Sequence, residues 1–138
     1  MNSVTITETF EADIETIDSI ITDIKPFLEG AGFDAVTIEN RQINITNHVG
    51  LLEISLALKQ IENEDATLAF KQIDGIFSEM ETYYSTIPTE DGTKVTAHTD
   101  FELDKGVVGS FLNATIVTAQ RKRELRSQMK YIKEQLPD

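Results

Sequence analysis

Residues 3–10 alternate between two kinds of side chain. One parity holds Val4, Ile6, Glu8 and Phe10, and the other holds Ser3, Thr5, Thr7 and Thr9. This period of two, with its β-branched residues, predicts a half-buried strand. Asp13 is then a candidate N-cap for a short amphipathic helix, whose isoleucines recur every three or four residues. Pro26 and Gly30 limit the next segment to one or two helical turns.

The period of two returns between residues 35 and 103 and breaks only at polar or glycine-containing turns. It predicts six consecutive strands, within residues 36–39, 43–49, 52–58, 66–72, 78–84 and 95–103. Turn signals separate most of them, at Asn40-Arg41, Gly50, Asp74-Gly75 and Asp91-Gly92. Strands joined by such short turns pair in antiparallel fashion, so these six predict an antiparallel sheet.

After Gly106 the apolar residues recur with the period of an α-helix. The apolar stripe is formed by Val108, Phe111, Leu112, Thr115, Ala119, Leu125, Met129, Ile132 and Leu136, and Pro137 ends it. A long amphipathic helix is the natural cover for the apolar face of an antiparallel sheet. The pattern therefore predicts an α+β protein in which a curved sheet and a long C-terminal helix can enclose a cavity.

This order of elements resembles the START-like superfamily, whose helix-grip fold includes polyketide cyclases and birch-pollen-allergen-like proteins. The resemblance covers the whole chain and rests on three segments. They are the opening VTITETFEADIETIDSIITDI, the strand KVTAHTDFELD and the final GVVGSFLNATIVTAQRKRELRSQMKYI. It implies one domain over residues 1–138, with a curved antiparallel seven-stranded sheet around the long helix and two short helices after strand 1. Members bind lipids, sterols, polyketides, quinones or plant hormones, or act as cyclases or co-chaperones, so the fold does not fix the function.

Composition narrows the chemistry. The 138 residues carry a formal net charge of -12, contain no cysteine and include two histidines, His48 and His98. Disulfides and thiol chemistry are excluded, no cofactor or metal is expected, and general nucleic-acid binding is disfavoured by charge repulsion. No apolar run approaches the ~20 residues that a membrane-spanning helix needs. We therefore expect a cytoplasmic protein.

The charge is unevenly distributed. Residues 1–106 hold 6 basic and 21 acidic residues, whereas residues 107–138 hold 6 basic and 3 acidic residues. The acidic excess fits either ordinary surface solvation or adaptation to a salt-rich (halophilic) cytoplasm, although 8 of the 12 cations are lysines, which salt-adapted surfaces avoid. The basic residues either complement the helix dipole or form a patch for an anionic or protein partner, with Arg121, Arg123 and Arg126 as its candidates.

Strand parity gives the candidate pocket. Residues on the inward parity of the predicted sheet include Leu52, Leu68, Gln72, Ser78 and Thr82, and small residues on the first half of the final helix include Ala114, Thr118 and Ala119. The candidate ligand-binding residues are Glu8, Asn47, Leu56, Phe70, Met80, Tyr84, Thr99, Phe101, Phe111 and Thr115. Apolar walls with a few polar groups are typical of a small-molecule site. The alternative is a solid core.

Three functions remain open. The first is the binding or transport of a hydrophobic small molecule, such as a lipid, isoprenoid or polyketide-like compound. The second is a cyclase or dehydratase with Glu8 and Tyr84 as acid and base, although no arginine falls on the inward parity of the strands to steer an enolate. The third is a protein-interaction module that uses the basic final helix. Both histidines are predicted to lie on the outer face of the sheet.

Overall fold

The computed structural model describes residues 1–137, which form seven strands and three α-helices. The strands are β1 (Asn2–Phe10), β2 (Ala35–Glu39), β3 (Gln42–Val49), β4 (Leu52–Ile61), β5 (Leu68–Asp74), β6 (Phe77–Thr89) and β7 (Gly92–Leu103). The helices are α1 (Ile14–Thr22), α2 (Ile24–Glu29) and α3 (Ala114–Gln135), and a 3-10 turn covers Lys105–Val107.

The seven strands form one antiparallel sheet in the order β1-β7-β6-β5-β4-β3-β2. Its tight turns use backbone conformations that few residues adopt easily, with Asn40 at φ 57° and Gly50 at φ 63°. Register shifts between β4 and β5 and between β6 and β7 bend the sheet, since an extra residue in one strand, Ile73 in β5 and Ser78 in β6, increases local curvature. The predicted α+β helix-grip architecture is confirmed.

Helix α3 lies against the sheet through β1 and β7, and α1 and α2 pack beside it. Between helices and sheet lies a continuous apolar core to which every layer contributes. Its fully buried members include Ile17 and Ile21 from α1, Phe27 from α2, and Leu125 and Ile132 from α3. None of the helices in residues 1–137 combines the length and apolar character that crossing a membrane requires.

The final helix begins later than the apolar stripe predicted. Asn113 is extended, with φ -152°, and its side chain accepts a hydrogen bond from the Ile116 backbone N–H at 3.1 Å. Such an N-cap satisfies one of the free donors at a helix start, so α3 begins at Ala114. Val108 and Phe111 therefore lie in the preceding loop, and residues 104–111 are all exposed.

Two inward predictions for the sheet, Ser78 and Leu52, are wrong. Ser78 is the extra residue of the β6 bulge, because Phe77 pairs with Leu103 and Glu79 with Glu102, and it is exposed. Gln72 is half-buried and closes the β5–β6 turn, donating to the Phe77 carbonyl at 2.7 Å and accepting from its N–H at 3.1 Å. Leu52 is 40% exposed where β4 leaves its turn.

Candidate functional site

Four connecting segments meet at one end of the sheet. Because neighbouring strands are antiparallel, the start of β2, the β3–β4 turn, the β5–β6 turn and the segment between β7 and α3 meet at the same end. We call residues 33–34, 50–51, 74–76 and 104–113 the loop end. Large apolar side chains are exposed there, with Leu51 at 101%, Phe111 at 79% and Val108 at 53% of their full accessibility.

An interior cavity of about 40 Å³ opens beneath the loop end, between the inner face of the sheet and the first half of α3. Its apolar walls are Phe33, Val49, Ile54, Leu56, Ile76, Phe77, Met80 and Val117. Four polar residues complete the lining, namely Asn47, Gln120, Arg121 and Glu124. One water molecule needs a cavity volume of roughly 10–15 Å³, so this cavity can hold a few small atoms but not a whole lipid.

A buried ion pair dominates the polar side of the cavity. Arg121 Nη1 donates to Glu124 Oε1 at 2.5 Å, one helical turn along α3. Glu124 Oε2 accepts from Asn47 Nδ2 at 3.0 Å and from Gln120 Nε2 at 3.1 Å. Both carboxylate oxygens are thus occupied, which compensates for removing the charge from water.

Arg121 reaches from α3 to the middle of the sheet. Its Nη2 donates to Thr82 Oγ1 at 3.1 Å, and the Thr82 and Thr99 hydroxyls are 2.8 Å apart. Thr99 in turn donates to the Glu81 carbonyl at 3.3 Å. The side chain of Arg121 is only 10% exposed, yet its Nε–H has no acceptor among residues 1–137. The cavity is therefore lined by a residue with a buried donor that the protein does not satisfy.

A solid layer closes the cavity on the side away from the loop end. Tyr84 is fully buried and donates through its hydroxyl to Gln128 Oε1 at 2.7 Å. Phe27 meets the Tyr84 ring edge to face, with ring centres 4.9 Å apart, and Phe70 packs on another side at 6.2 Å. Burial raises the pKa of the Tyr84 phenol well above its usual value, so it stays protonated.

The structure divides the ten candidate residues into three groups. Three of them line the cavity, namely Asn47, Leu56 and Met80. Four are buried in the core without lining it, namely Phe70, Tyr84, Thr99 and Phe101. Three are exposed to solvent, namely Glu8, Phe111 and Thr115. The pocket is therefore smaller than strand parity predicted and is displaced toward the loop end.

The three exposed candidates have separate explanations. Glu8 has inward parity, but β1 is an edge strand, so its side chain reaches water along the open edge of the sheet. Phe111 precedes the N-cap of α3 and lies outside the helix. Thr115 belongs to a stripe of small residues that lies on the side of α3 near Asn2, outside the core. These placements also remove the predicted acid–base pair of Glu8 and Tyr84.

The polar lining residues that sequence reasoning missed, Gln120, Arg121 and Glu124, all lie on α3. Arg121 was predicted in the surface patch, but it is buried, whereas Arg123 and Arg126 are exposed as expected. The buried face of α3 is hard to recognise from the sequence because it is not uniformly apolar. Its polar residues Arg121, Glu124 and Gln128 are interspersed with the apolar residues Val117, Leu125 and Ile132. Steps of three and four from Val117 reach 121, 125, 128 and 132, and this spacing was the available signal.

Both histidines lie on the outer face, as predicted. His48 contacts Asp34 through Nδ1, with Glu53 on its other side, and the hydrogen bond to Asp34 raises the pKa of His48. His98 lies between Thr5 and Asp100, with Nδ1 2.6 Å from Thr5 Oγ1 and Nε2 2.9 Å from Asp100 Oδ1. Neither histidine lines the cavity.

A curved sheet that holds one long helix over a cavity defines the helix-grip class of protein. Comparison by sequence finds no match to a family model and none to a curated protein. Comparison by structure finds several similar folds. A START superfamily protein from Mycobacterium smegmatis is 18% identical with a TM-score of 0.71, and the match covers 93% of this chain and 92% of that one.

Two further structures extend the comparison. The Zhui aromatase/cyclase from Streptomyces sp. R1128 is 11% identical with a TM-score of 0.75, over 99% of this chain and 96% of that one. A protein from Thermus thermophilus is 15% identical with a TM-score of 0.71, over 95% of this chain and 97% of that one. The chain has the START-like helix-grip fold.

Proposed function

We propose that the protein binds a hydrophobic small molecule, with one end of the ligand in the cavity between the sheet and α3. The observation that supports this most directly is the cavity lining, in which eight apolar side chains and four polar ones surround one space. Sites for small molecules have this composition, with apolar walls for affinity and a few polar groups for orientation. Proteins of the same fold include a START superfamily protein and an aromatase/cyclase.

A ligand larger than the present cavity has to displace part of its wall. The loop end is the side where displacement costs least, since residues 104–111 are exposed along their whole length and bury little apolar surface. The exposed Leu51 and Phe111 would then cover the ligand and lose their contact with water. The solid layer around Tyr84 and Phe27 holds the opposite side in place.

Titration with N-phenyl-1-naphthylamine, an uncharged apolar fluorophore, tests the proposal. The blocking variant is Leu56→Trp, which fills the cavity from β4, and the matched control is Ser55→Trp, whose side chain lies on the outer face of the same strand. We expect saturable binding to the native protein and to the control. The blocked variant should bind at least about tenfold more weakly, a loss of about 1.4 kcal/mol.

Equal affinity in the two tryptophan variants, with both still folded, would show that the fluorophore binds elsewhere and would contradict the proposal. Native mass spectrometry after gentle purification provides an independent check, because a retained ligand adds a discrete mass. A cyclase is not our proposal, since Glu8 is exposed and Tyr84 lies outside the cavity lining.

A second candidate function, binding of an anionic protein segment, is favoured by the outer face of α3. Lys122, Arg123, Arg126, Lys130 and Lys133 are exposed there, and none forms an ion pair within residues 1–137. Dipole complementarity accounts for cations in the last turn only, because the effect fades within one turn. Arg121 is not part of this surface.

Fluorescence anisotropy with a labelled polyglutamate peptide at low ionic strength tests this second function. Arg123→Glu with Arg126→Glu should abolish binding, whereas Lys59→Glu with Lys71→Glu changes the net charge equally on the sheet and should weaken it much less. If the two pairs lower the affinity to the same extent, only net charge matters and the α3 surface has no specific role.

A further inference from the structure

We infer that the polar side of the cavity selects a ligand whose buried end is an uncharged carbonyl oxygen, as in a ketone or an ester. This inference rests on the proposed function and names the chemistry of its ligand. The decisive group is Arg121 Nε–H, a buried donor without an acceptor in residues 1–137, on a residue that lines the cavity. A buried donor of this kind costs free energy until an acceptor reaches it.

Charge balance argues against an anionic ligand. Arg121 and Glu124 are the two charged residues in the lining, and their charges cancel. A carboxylate head would bring a second negative charge beside Glu124 in a site shielded from water, where an uncompensated charge is costly. A neutral acceptor supplies what Nε–H lacks and leaves the ion pair undisturbed.

The other nitrogens of the site each have a partner. Arg121 Nη1 donates to Glu124 and Nη2 donates to Thr82, while the side-chain amides of Asn47 and Gln120 each donate one N–H to Glu124 Oε2. Among the buried side-chain nitrogens and oxygens of residues 1–137, Arg121 Nε is the one without any hydrogen bond, and its single N–H matches a single acceptor atom. The cavity of about 40 Å³ has room for such a group, with the apolar remainder of the ligand directed toward the loop end.

Three naphthalenes of similar shape test the inference by isothermal titration calorimetry. They are 2-acetylnaphthalene with a ketone, 2-naphthoate with a carboxylate, and 2-ethylnaphthalene with no acceptor. Burial of apolar area alone would favour the ethyl compound, because it has the least polar surface. We expect the ketone to bind about tenfold more tightly than the ethyl compound, since hydrogen bonds to charged groups contribute about 1.5–3 kcal/mol. It should also bind more tightly than the carboxylate.

Two variants identify the donor. Arg121→Lys keeps the positive charge beside Glu124 but has no Nε–H, and Arg123→Lys makes the same change on the exposed face as its control. Arg121→Met with Glu124→Met removes both charges together, so no unpaired ion is left buried if the lysine variant fails to fold. In both Arg121 variants the ketone should lose its advantage over 2-ethylnaphthalene, while Arg123→Lys retains it.

Each outcome has a defined meaning. Binding of all three compounds without preference for the ketone, or tightest binding of 2-naphthoate, overturns the inference and leaves cavity binding intact. A ketone preference that survives in both Arg121 variants also overturns it, because another donor must then be responsible. If none of the three compounds binds while N-phenyl-1-naphthylamine still does, the inference alone fails; if the fluorophore does not bind either, the proposed function fails with it.

Discussion

At the scale of single residues, the interior depends on polar side chains that are satisfied in pairs. Tyr84 and Gln128 illustrate this, because the phenol donates to the amide oxygen at 2.7 Å where neither reaches water. The Gln128 amide nitrogen also points to the Phe27 carbonyl, at 3.4 Å. Removing one member of such a pair costs more than removing both, since the survivor stays buried and unpaired.

Tyr84→Phe should therefore lower the free energy of unfolding by about 1–3 kcal/mol, because Gln128 Oε1 loses its donor. Adding Gln128→Met, which is close to glutamine in size, should recover part of that loss. Urea denaturation of the single and double variants measures both effects.

Tyr83→Phe is the matched control for this prediction. Tyr83 is the neighbouring residue of β6, faces outward beside His98, and is only partly buried. Its variant should change the stability by less than about 0.5 kcal/mol. Similar losses for the two tyrosines would mean that the phenol–amide pair contributes nothing specific.

His48 carries the clearest pH dependence. The hydrogen bond to Asp34 raises the pKa of His48 in the folded state, with smaller contributions from the charges of Asp34 and Glu53. A raised folded-state pKa stabilises the fold below the ordinary histidine pKa, and this stabilisation is lost as the pH rises through the folded-state value. His48→Gln should therefore abolish that part of the pH dependence of urea unfolding.

NMR titration of the His48 ring measures the cause directly. Asp34→Asn should lower the folded-state pKa of His48, because the hydrogen-bonded carboxylate is its main source. The second carboxylate neighbour, Glu53, is 3.9 Å away, so Glu53→Gln should have the smaller effect. An unchanged His48 titration in Asp34→Asn would exclude the contact as the origin of the shift.

At the scale of elements, the strands were predictable from alternation, whereas the polar residues on the inner face of α3 were not recognised as buried. A strand such as β7 alternates regularly between inward and outward residues, so the buried side can be predicted from the sequence of the strand alone. The inner face of α3 holds Arg121, Glu124 and Gln128, whose burial is stabilised by groups on β3 and β6. Those partners are distant in sequence, so the spacing along α3 could indicate the face but not which polar side chains would find partners there.

The contact between α2 and α3 gives a prediction at this scale. Gly30 ends α2 so close to α3 that an added Cβ would lie 2.7 Å from the ring of Tyr131 and 2.8 Å from its Cβ. Its carbonyl also accepts from Ser127 at 2.6 Å, which fixes the distance. Gly30→Ala should cost about 1–3 kcal/mol of stability by overpacking, as thermal and urea unfolding would measure.

Gly109→Ala is the control for the α2–α3 contact. An added Cβ at this position has no neighbour within 4 Å, and its backbone has no positive φ. We expect the control to change stability by less than about 0.5 kcal/mol. A harmless Gly30→Ala would mean that α2 and α3 separate at low cost.

At the scale of the whole molecule, the order of elements was sufficient to predict the helix-grip fold, because seven alternating strands and one long helix have few ways to bury their apolar faces. The cavity was harder to predict. Its volume depends on how Phe33, Phe77 and Val117 fill the space between layers, and side-chain packing of that kind leaves no periodic signal. Of the ten candidate residues predicted from strand parity, three line the cavity.

Net charge is also a property of the whole molecule, and it gives a prediction about salt. With 24 acidic and 12 basic residues, the folded chain repels itself. Screening of exposed charges is already strong at about 0.1 M KCl, where the Debye length is about 10 Å. If the acidic surface is an adaptation to salt, the free energy of unfolding by urea should continue to rise between that concentration and molar KCl.

A charge-reduced variant separates salt adaptation from ordinary solvation. Glu62, Glu64 and Glu90 are exposed, so their replacement by glutamine lowers the negative charge without disturbing the core. The variant should gain less stability from molar KCl than the native protein, because fewer carboxylates remain to be stabilised by the salt. Equal stability of the native protein at the two KCl concentrations would contradict salt adaptation and leave surface solvation as the role of the acidic residues.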